Sequence, residues 1–290
     1  GCGWCGGNHK YRERTARTAR SEGYTLLADG NRIEGDTTLW ANRVTVEAEN
    51  VILDPTRPYR NAAGGEELRD TLCRESVTYT VRRNNIEVAA SHRFCNAAPV
   101  TIAIYYGMQS MFEGETHVLT PGGAYTDWTE VAKASTFTKQ EHPLFRRYVE
   151  KNRQGYQSTW LLPDGLGDHA LLDGQDDIFI YGKSYHKLIG NKRIKNGDKT
   201  CWRGVYTWFE TPIADDADLL CYEGSAGGHT AVFIDCKRAC KRTLALPGYL
   251  DLRHFGTAEQ NGGIRISAAG RNKLKIKAGA PGSCVLLLRE

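Results

Sequence analysis

The sequence predicts an all-β protein, a large antiparallel β-sandwich with few short helices. Three observations predict it. Apolar residues alternate with period two along many short runs, as on a half-buried strand. Glycine is abundant, 31 residues in 290, and punctuates those runs. Strand candidates number roughly eighteen, with turn signals every ~8–12 residues, the spacing of all-β folds.

In order along the chain, Val44 to Ala48 alternates and runs into Val51-Ile52-Leu53. Val77 to Val81 and Ile86 to Ala90 flank Arg82-Arg83-Asn84-Asn85, a turn-prone tetrapeptide, and read as a hairpin. Val100–Tyr106 follows a break at Asn96–Pro99 and is expected to extend that hairpin into a meander. Further strands are expected at Tyr156–Leu162, Ile178–Tyr181, Trp202–Glu210, Leu219–Tyr222, Thr230–Asp235, Ile264–Ser267, Lys273–Lys277 and Cys284–Leu288. Lysine alternates with apolar residues from Lys273 to Lys277, which suits an edge strand or a one-sided strand. Helical patterning is thin: His9–Glu22 is polar all round, while Glu66–Arg74 and Pro143–Lys151 could each form two turns. Pro, Asn and Gly cluster between Pro55 and Gly65. That divides the chain into an N-terminal segment, 1–55, packing on a main sandwich domain, 56–290. So many strands are expected to pack as two large twisted sheets face to face.

Composition narrows the function classes. Apolar residues make up 40% and charged residues 25%, as in an ordinary globular protein. No run approaches the ~20 apolar residues of a membrane helix, so no membrane span is expected. The net charge is +4. Residues 1–20 hold Lys10, Arg12, Arg14, Arg17 and Arg20 against Glu13; removing those five and one from 38 basic and 34 acidic residues leaves 33 of each. The excess sits on a short arm rather than over a folded face, so no nucleic-acid partner is expected. The only methionines are Met108 and Met111, so the chain is expected to begin inside a longer product or after processing. Cysteine number is odd, nine, and most cysteines lie in apolar strand-like runs, as core residues would. Cys2 with Cys5 and Cys236 with Cys240 have the spacing of a four-thiolate zinc site but no consistent structural context, so no tightly bound metal is expected. Phosphate-binding loops, HExxH and GxSxG are missing, which argues against nucleotide chemistry and the common hydrolase triads.

Three segments could carry chemistry. Pro163 to Asp177 packs Asp164, Asp168, Asp173, Asp176, Asp177 and His169 among three glycines. Such a loop suits a solvated turn, a Ca²⁺ site near Asp164–Asp177, or a sugar-contacting rim on which Asp168 and His169 aim into a cleft. Otherwise no cofactor is expected. Tyr185 and His186 are proton-transfer residue types, although alternation puts neighbours on opposite sheet faces. Trp202, Tyr206 and Trp208 share one parity and therefore one face, where an aromatic row either fills a core or stacks on sugar rings. Glu223 and Glu210 follow aromatic runs at strand ends, where a rim carboxylate would sit. Asp168, His169, His186 and Glu223 are therefore the candidate catalytic residues, and Trp202, Tyr206, Trp208 and Tyr185 the candidate substrate contacts.

The run from Ile86 to Phe94, the break at Asn96–Pro99, the strand Val100–Tyr106 and the turn Leu119-Thr-Pro-Gly-Gly123 resemble the galactose-mutarotase-like supersandwich. That fold occurs in sugar epimerases and in domains of polysaccharide lyases and glycoside hydrolases. The resemblance covers about residues 75–290 and lacks the mutarotase His-Pro-aromatic-Phe signature. It implies a carbohydrate ligand, bound and either cleaved or isomerised on a concave sheet face. The alternative is a non-catalytic carbohydrate-binding or structural module of a larger protein. The sequence leaves the oligomeric state open.

Overall fold

The computed structural model describes residues 18–111, 114–121, 125–131, 137–139, 146–167, 176–180, 183–260 and 262–288. In chain order the strands are β1 (Ala19–Ala28), β2 (Asn31–Arg32), β3 (Val44–Leu53), β4 (Pro58–Arg60), β5 (Glu66–Leu68), β6 (Thr71–Arg82), β7 (Asn85–Phe94) and β8 (Val100–Met111). There follow β9 (His117–Leu119), β10 (Thr129–Glu130), β11 (Phe137–Lys139), β12 (Arg146–Asn152), β13 (Gly155–Gly167), β14 (Asp176–Ile180), β15 (Lys183–Ile194) and β16 (Lys199–Phe209). The last are β17 (Ala214–Asp215), β18 (Leu219–Ala226), β19 (His229–Cys236), β20 (Cys240–Ala245), β21 (Phe255–Gln260), β22 (Arg265–Ala268), β23 (Lys273–Ala278) and β24 (Gly282–Leu288). Every pairing among the described residues is antiparallel. The protein is an all-β sandwich.

The sandwich has more layers than two. A ten-stranded sheet, ordered β10-β9-β12-β13-β16-β7-β6-β3-β1-β2, is its spine. Residues 19–53 form one end of that sheet. A four-stranded sheet, β11-β14-β15-β8, packs on one face. Ile102, Tyr105, Leu188 and Ile189 meet Val77, Val88, Ala90 and Trp202 there. A five-stranded sheet, β17-β18-β19-β24-β21, covers part of the other face. Tyr222, Phe233 and Val285 pack there against Val149, Trp160 and Val205. A three-stranded sheet, β20-β23-β22, closes the outside of the five-stranded one, with Leu274 and Ile276 packed among Cys221, Ile234 and Leu286. Strand parity makes this stack possible. In β16 the even-numbered residues face one neighbouring sheet and Val205 faces the other, so the spine is apolar on both sides.

Three expectations about individual segments change. Val100–Tyr106 does not extend the hairpin of β6 and β7. The break at Asn96–Pro99 lets the chain cross into the four-stranded sheet, and β7 takes β16 as its second neighbour, with Ala90 opposite Trp202. Glu66–Arg74 holds two strands rather than a helix. Arg146–Asn152 is likewise a strand, because its alternate residues are claimed by two different layers. Of the two readings of Lys273–Lys277, the one-sided strand holds: β23 is the centre of its three-stranded sheet, and its lysines lie along the exposed face.

Candidate functional site

The face of the ten-stranded sheet turned toward the four-stranded sheet carries the aromatic row of β16. Its three members differ in setting. Trp202 is core: 6% exposed, with Nε1 donating to Tyr105 Oη at 2.8 Å. Tyr206 is intermediate, and its hydroxyl donates to the Gln109 carbonyl at 3.1 Å. Trp208 lies beyond the edge of the covering sheet, 39% exposed, with its ring stacked on Tyr206 at 5.8 Å and 20°.

Register carries Trp208 into a polar row. Trp208 sits opposite Gln157 on β13, and Gln157 sits opposite Glu150 on β12. On the other side the Trp208 amide donates to the Asn84 carbonyl, and the Asn84 side-chain amide donates to the Trp208 carbonyl at 2.6 Å. These residues, with Met111 and Glu210, line an open cleft of about 720 Å³.

Glu150 is the chemically distinctive group. Its side chain is buried at the cleft floor, and among the described residues no cation pairs with it. Ser110 Oγ donates to Oε2 at 2.5 Å. Ser184 Oγ lies 2.8 Å from Oε1, 2.7 Å from Ser110 Oγ and 2.9 Å from Tyr148 Oη. Burial pushes the Glu150 carboxyl up to about 7, against the pull of the two serine hydroxyls. The same burial raises the Tyr148 phenol well above its ordinary value. A carboxyl balanced near neutrality can both give and take a proton.

Local backbone geometry aims these serines inward. The pairing of β15 with β8 shifts register on both sides of His186, and Met108 on β8 adopts a φ of 53°. Such bulges re-aim side chains. Gly204 on β16 makes room for the bulged strand: a Cβ there would lie 2.0 Å from Met108 Sδ.

A second hollow of about 360 Å³ lies on the same face beside the outer edge of β8, lined by Tyr79, Tyr105, Tyr106, Trp202 and Tyr206. Glu75 also lines it. Its Oε2 is 2.9 Å from His92 Nε2, and its Oε1 accepts from Asn50 Nδ2 at 3.2 Å. Gln109, whose carbonyl accepts from Tyr206 Oη, lines the hollow too.

The residues expected from sequence are distributed as follows. Trp208 lines the cleft, and Tyr206, stacked on it, lines the second hollow. Trp202 lines the second hollow. His186 is fully buried between the sheets, its ring 4.9 Å from that of Tyr148 and so close to the Glu150 cluster. Tyr185 points the other way and stacks on Tyr106 at 4.4 Å. Glu223 does not share their hollow. It stands on β18 facing the three-stranded sheet, takes a hydrogen bond from Tyr249 Oη at 2.6 Å, and lies 3.6 Å from Arg83. Asp168 and His169 lie outside the described residues, as do Cys2 and Cys5. The chain leaves β13 at Gly167, level with Cys201. That is seven residues along β16 from Trp208, or about 23 Å. Of the Asp164–Asp177 segment, only strand ends are described. Among the described residues no three His, Cys, Asp or Glu side chains gather as a metal site would need. Cys236 and Cys240 place their sulfurs 3.7 Å apart. No described helix is long and apolar enough to cross a membrane. Sequence reasoning missed Glu150 and Gln157. Glu150 falls at the end of the helix that Pro143–Lys151 could form, and only strand pairing brings it level with the aromatic row.

No family model and no curated protein matches this sequence. Among solved structures the chain is similar to a Klebsiella pneumoniae subsp. pneumoniae MGH 78578 protein provisionally described as an aldose 1-epimerase. Sequence identity is 7% and the TM-score 0.34, over 58% of this chain and 51% of that one. The match therefore spans about half of that protein. The likeness is weak. At this level it carries no argument about chemistry.

Proposed function

We propose that this chain is a carbohydrate-active protein that seats a sugar in the cleft above Glu150 and beside Trp208. One observation carries the proposal: a single cross-strand row sets an exposed indole, two amides and a buried carboxyl around one open cleft. Sugars need this combination. Their C–H faces stack on aromatic rings, and their hydroxyls need a few convergent donors and acceptors. Glu150 and Trp208 stand two strand spacings apart, about 10 Å, which leaves room for a ring between them. A ligand hydroxyl reaching Glu150 would meet a group able to exchange a proton at neutral pH. Glu150 thus takes the acid–base role, with Tyr148, Ser110 and Ser184 as its positioning residues. Cleavage and isomerisation both use such a group. A non-catalytic binder would use the row without it.

The experiment is a glycan array followed by a turnover screen on the glycans that bind. Trp208→Ala is expected to weaken binding roughly tenfold, the loss of one stacked aromatic face. Glu150→Gln is expected to keep binding and lose turnover. Binding with no turnover in the parent protein would select the non-catalytic alternative. Failure of every glycan to bind would overturn the proposal. His169→Ala tests whether the segment after β13 contributes: lost turnover with an unchanged melting temperature would place His169 in the site.

A further inference from the structure

The opposite face of the ten-stranded sheet carries a feature that the sugar cleft does not use. Near the start of β16 the five-stranded sheet no longer covers this face, and three cations line up directly across three strands. Arg74 on β6 pairs in register with Arg93 on β7, and Arg93 with Lys199 on β16. Like charges opposite one another on one sheet face repel and destabilise the pairing. Arg74 is offset by Glu22, 2.7 Å away on β1. Among the described residues no carboxylate pairs with Arg93 or Lys199. The next row along the same face is Glu49, Ser76, Ser91 and Cys201. Glu49 is engaged by the Ser76 hydroxyl at 2.7 Å, whereas Ser91 is exposed. Together the two rows line a hollow of about 480 Å³. Among the described residues three cations line it against one carboxylate, and the two with no described counter-charge stand side by side.

We propose that this hollow binds an anion carrying a phosphoryl or sulfuryl group, held between Arg93 and Lys199, with Arg74 and the Ser91 hydroxyl completing the shell. Directly opposed side chains on adjacent strands start about 5 Å apart, so one tetrahedral oxyanion fits between the two head groups. The planar Arg93 fork offers two parallel donors and Lys199 a point charge, the usual division of labour at such groups. Anion binding also cancels the repulsion that the bare row retains.

Titration calorimetry on the whole chain tests this, with inorganic phosphate, inorganic sulfate, a glucose phosphate ester and a glucose sulfate ester as probes. Saturable one-site binding is expected. Arg93→Ala and Lys199→Ala should each weaken it roughly tenfold or more, as befits a charged hydrogen bond. Lys275→Ala, on the equally lysine-rich face of β23, should leave it unchanged. The ester that binds more tightly identifies the source of the group. In anion-free buffer Arg93→Ala should melt no lower than the parent, because it removes a repulsion. Equal weakening by Lys275→Ala would reduce the effect to general surface charge and overturn the proposal. Absence of saturable binding by all four probes, or a marked fall in melting temperature of Arg93→Ala without anion, would overturn it too. Trp208→Ala should leave anion binding intact, so this test stands or falls apart from that of the sugar cleft.

Discussion

Strand β12 holds two buried charges three residues apart, on opposite faces, and they live in opposite circumstances. Arg147 faces the five-stranded sheet with its guanidinium fork on Asp235 and further bonds to Ser283 and to Tyr222 Oη, the last at 2.8 Å. Its rim is secured by Asp215, which takes bonds from Lys151, Lys237, Trp128 and Tyr156 at 2.8–3.0 Å. These four donors hold the Asp215 carboxyl far below the ordinary range in spite of burial. Glu150 faces the four-stranded sheet and, among the described residues, meets hydroxyls only. The first face spends its charges on holding two sheets together. The second keeps a carboxyl at the edge of ionisation beside an open cleft. The difference teaches which buried charge to read as architecture and which as chemistry: pairing removes a group from proton exchange, and burial without a pair brings it into play.

The comparison can be broken most decisively at Arg147. Arg147→Ala leaves Asp235 buried without its partner and should cost about 3–5 kcal/mol in urea unfolding. A cost below about 1 kcal/mol would mean that the ion pair is not architectural. The next effect is pH-dependent. The folded Glu150 carboxyl titrates at about 7, whereas the unfolded one titrates near 4.3. The folded state therefore binds the proton more tightly. The associated stability is full below the unfolded value and is lost as pH rises through about 7, a change on the order of 3 kcal/mol by pH 8. Glu150→Gln should flatten that decline, measured as unfolding free energy at a series of pH values between 4 and 8 (roughly the span of the two titrations). Retention of the full decline in the variant would assign it elsewhere. Trp208→Ala should cost about 1 kcal/mol of stability through the lost Tyr206 stack, alongside the weaker sugar binding already described. Smallest of all, Glu223→Gln disturbs a partly exposed pair and should move stability by less than about 0.5 kcal/mol. Glycan affinity should not change, since Glu223 lies two layers from the cleft. Lost affinity would connect the layers in a way the static arrangement does not show.

Much of the fold was legible because period-two alternation is a local signal. The hairpin of β6 and β7, the aromatic parity of β16 and the one-sided lysines of β23 all follow from residues a few positions apart. The site was less legible. The row Glu150, Gln157, Trp208 joins three strands, and its members matter only through register. Glu150 was also masked by its own strand. From Arg147 to Lys151 charged and apolar residues fall on both parities, because each face is buried against a different sheet. That pattern mimics a short helix.

The sequence by itself determined that this chain is all-β and that Trp202, Tyr206 and Trp208 share a face. Only the tertiary structure decided which of the three would be core and which would be exposed. It also decided that a glutamate from a misread segment would lie at the cleft floor. The physical reason is that side-chain direction along a strand is set by neighbouring residues. Burial and ionisation are set instead by whatever strand the chain later lays alongside, and by where the covering sheet ends.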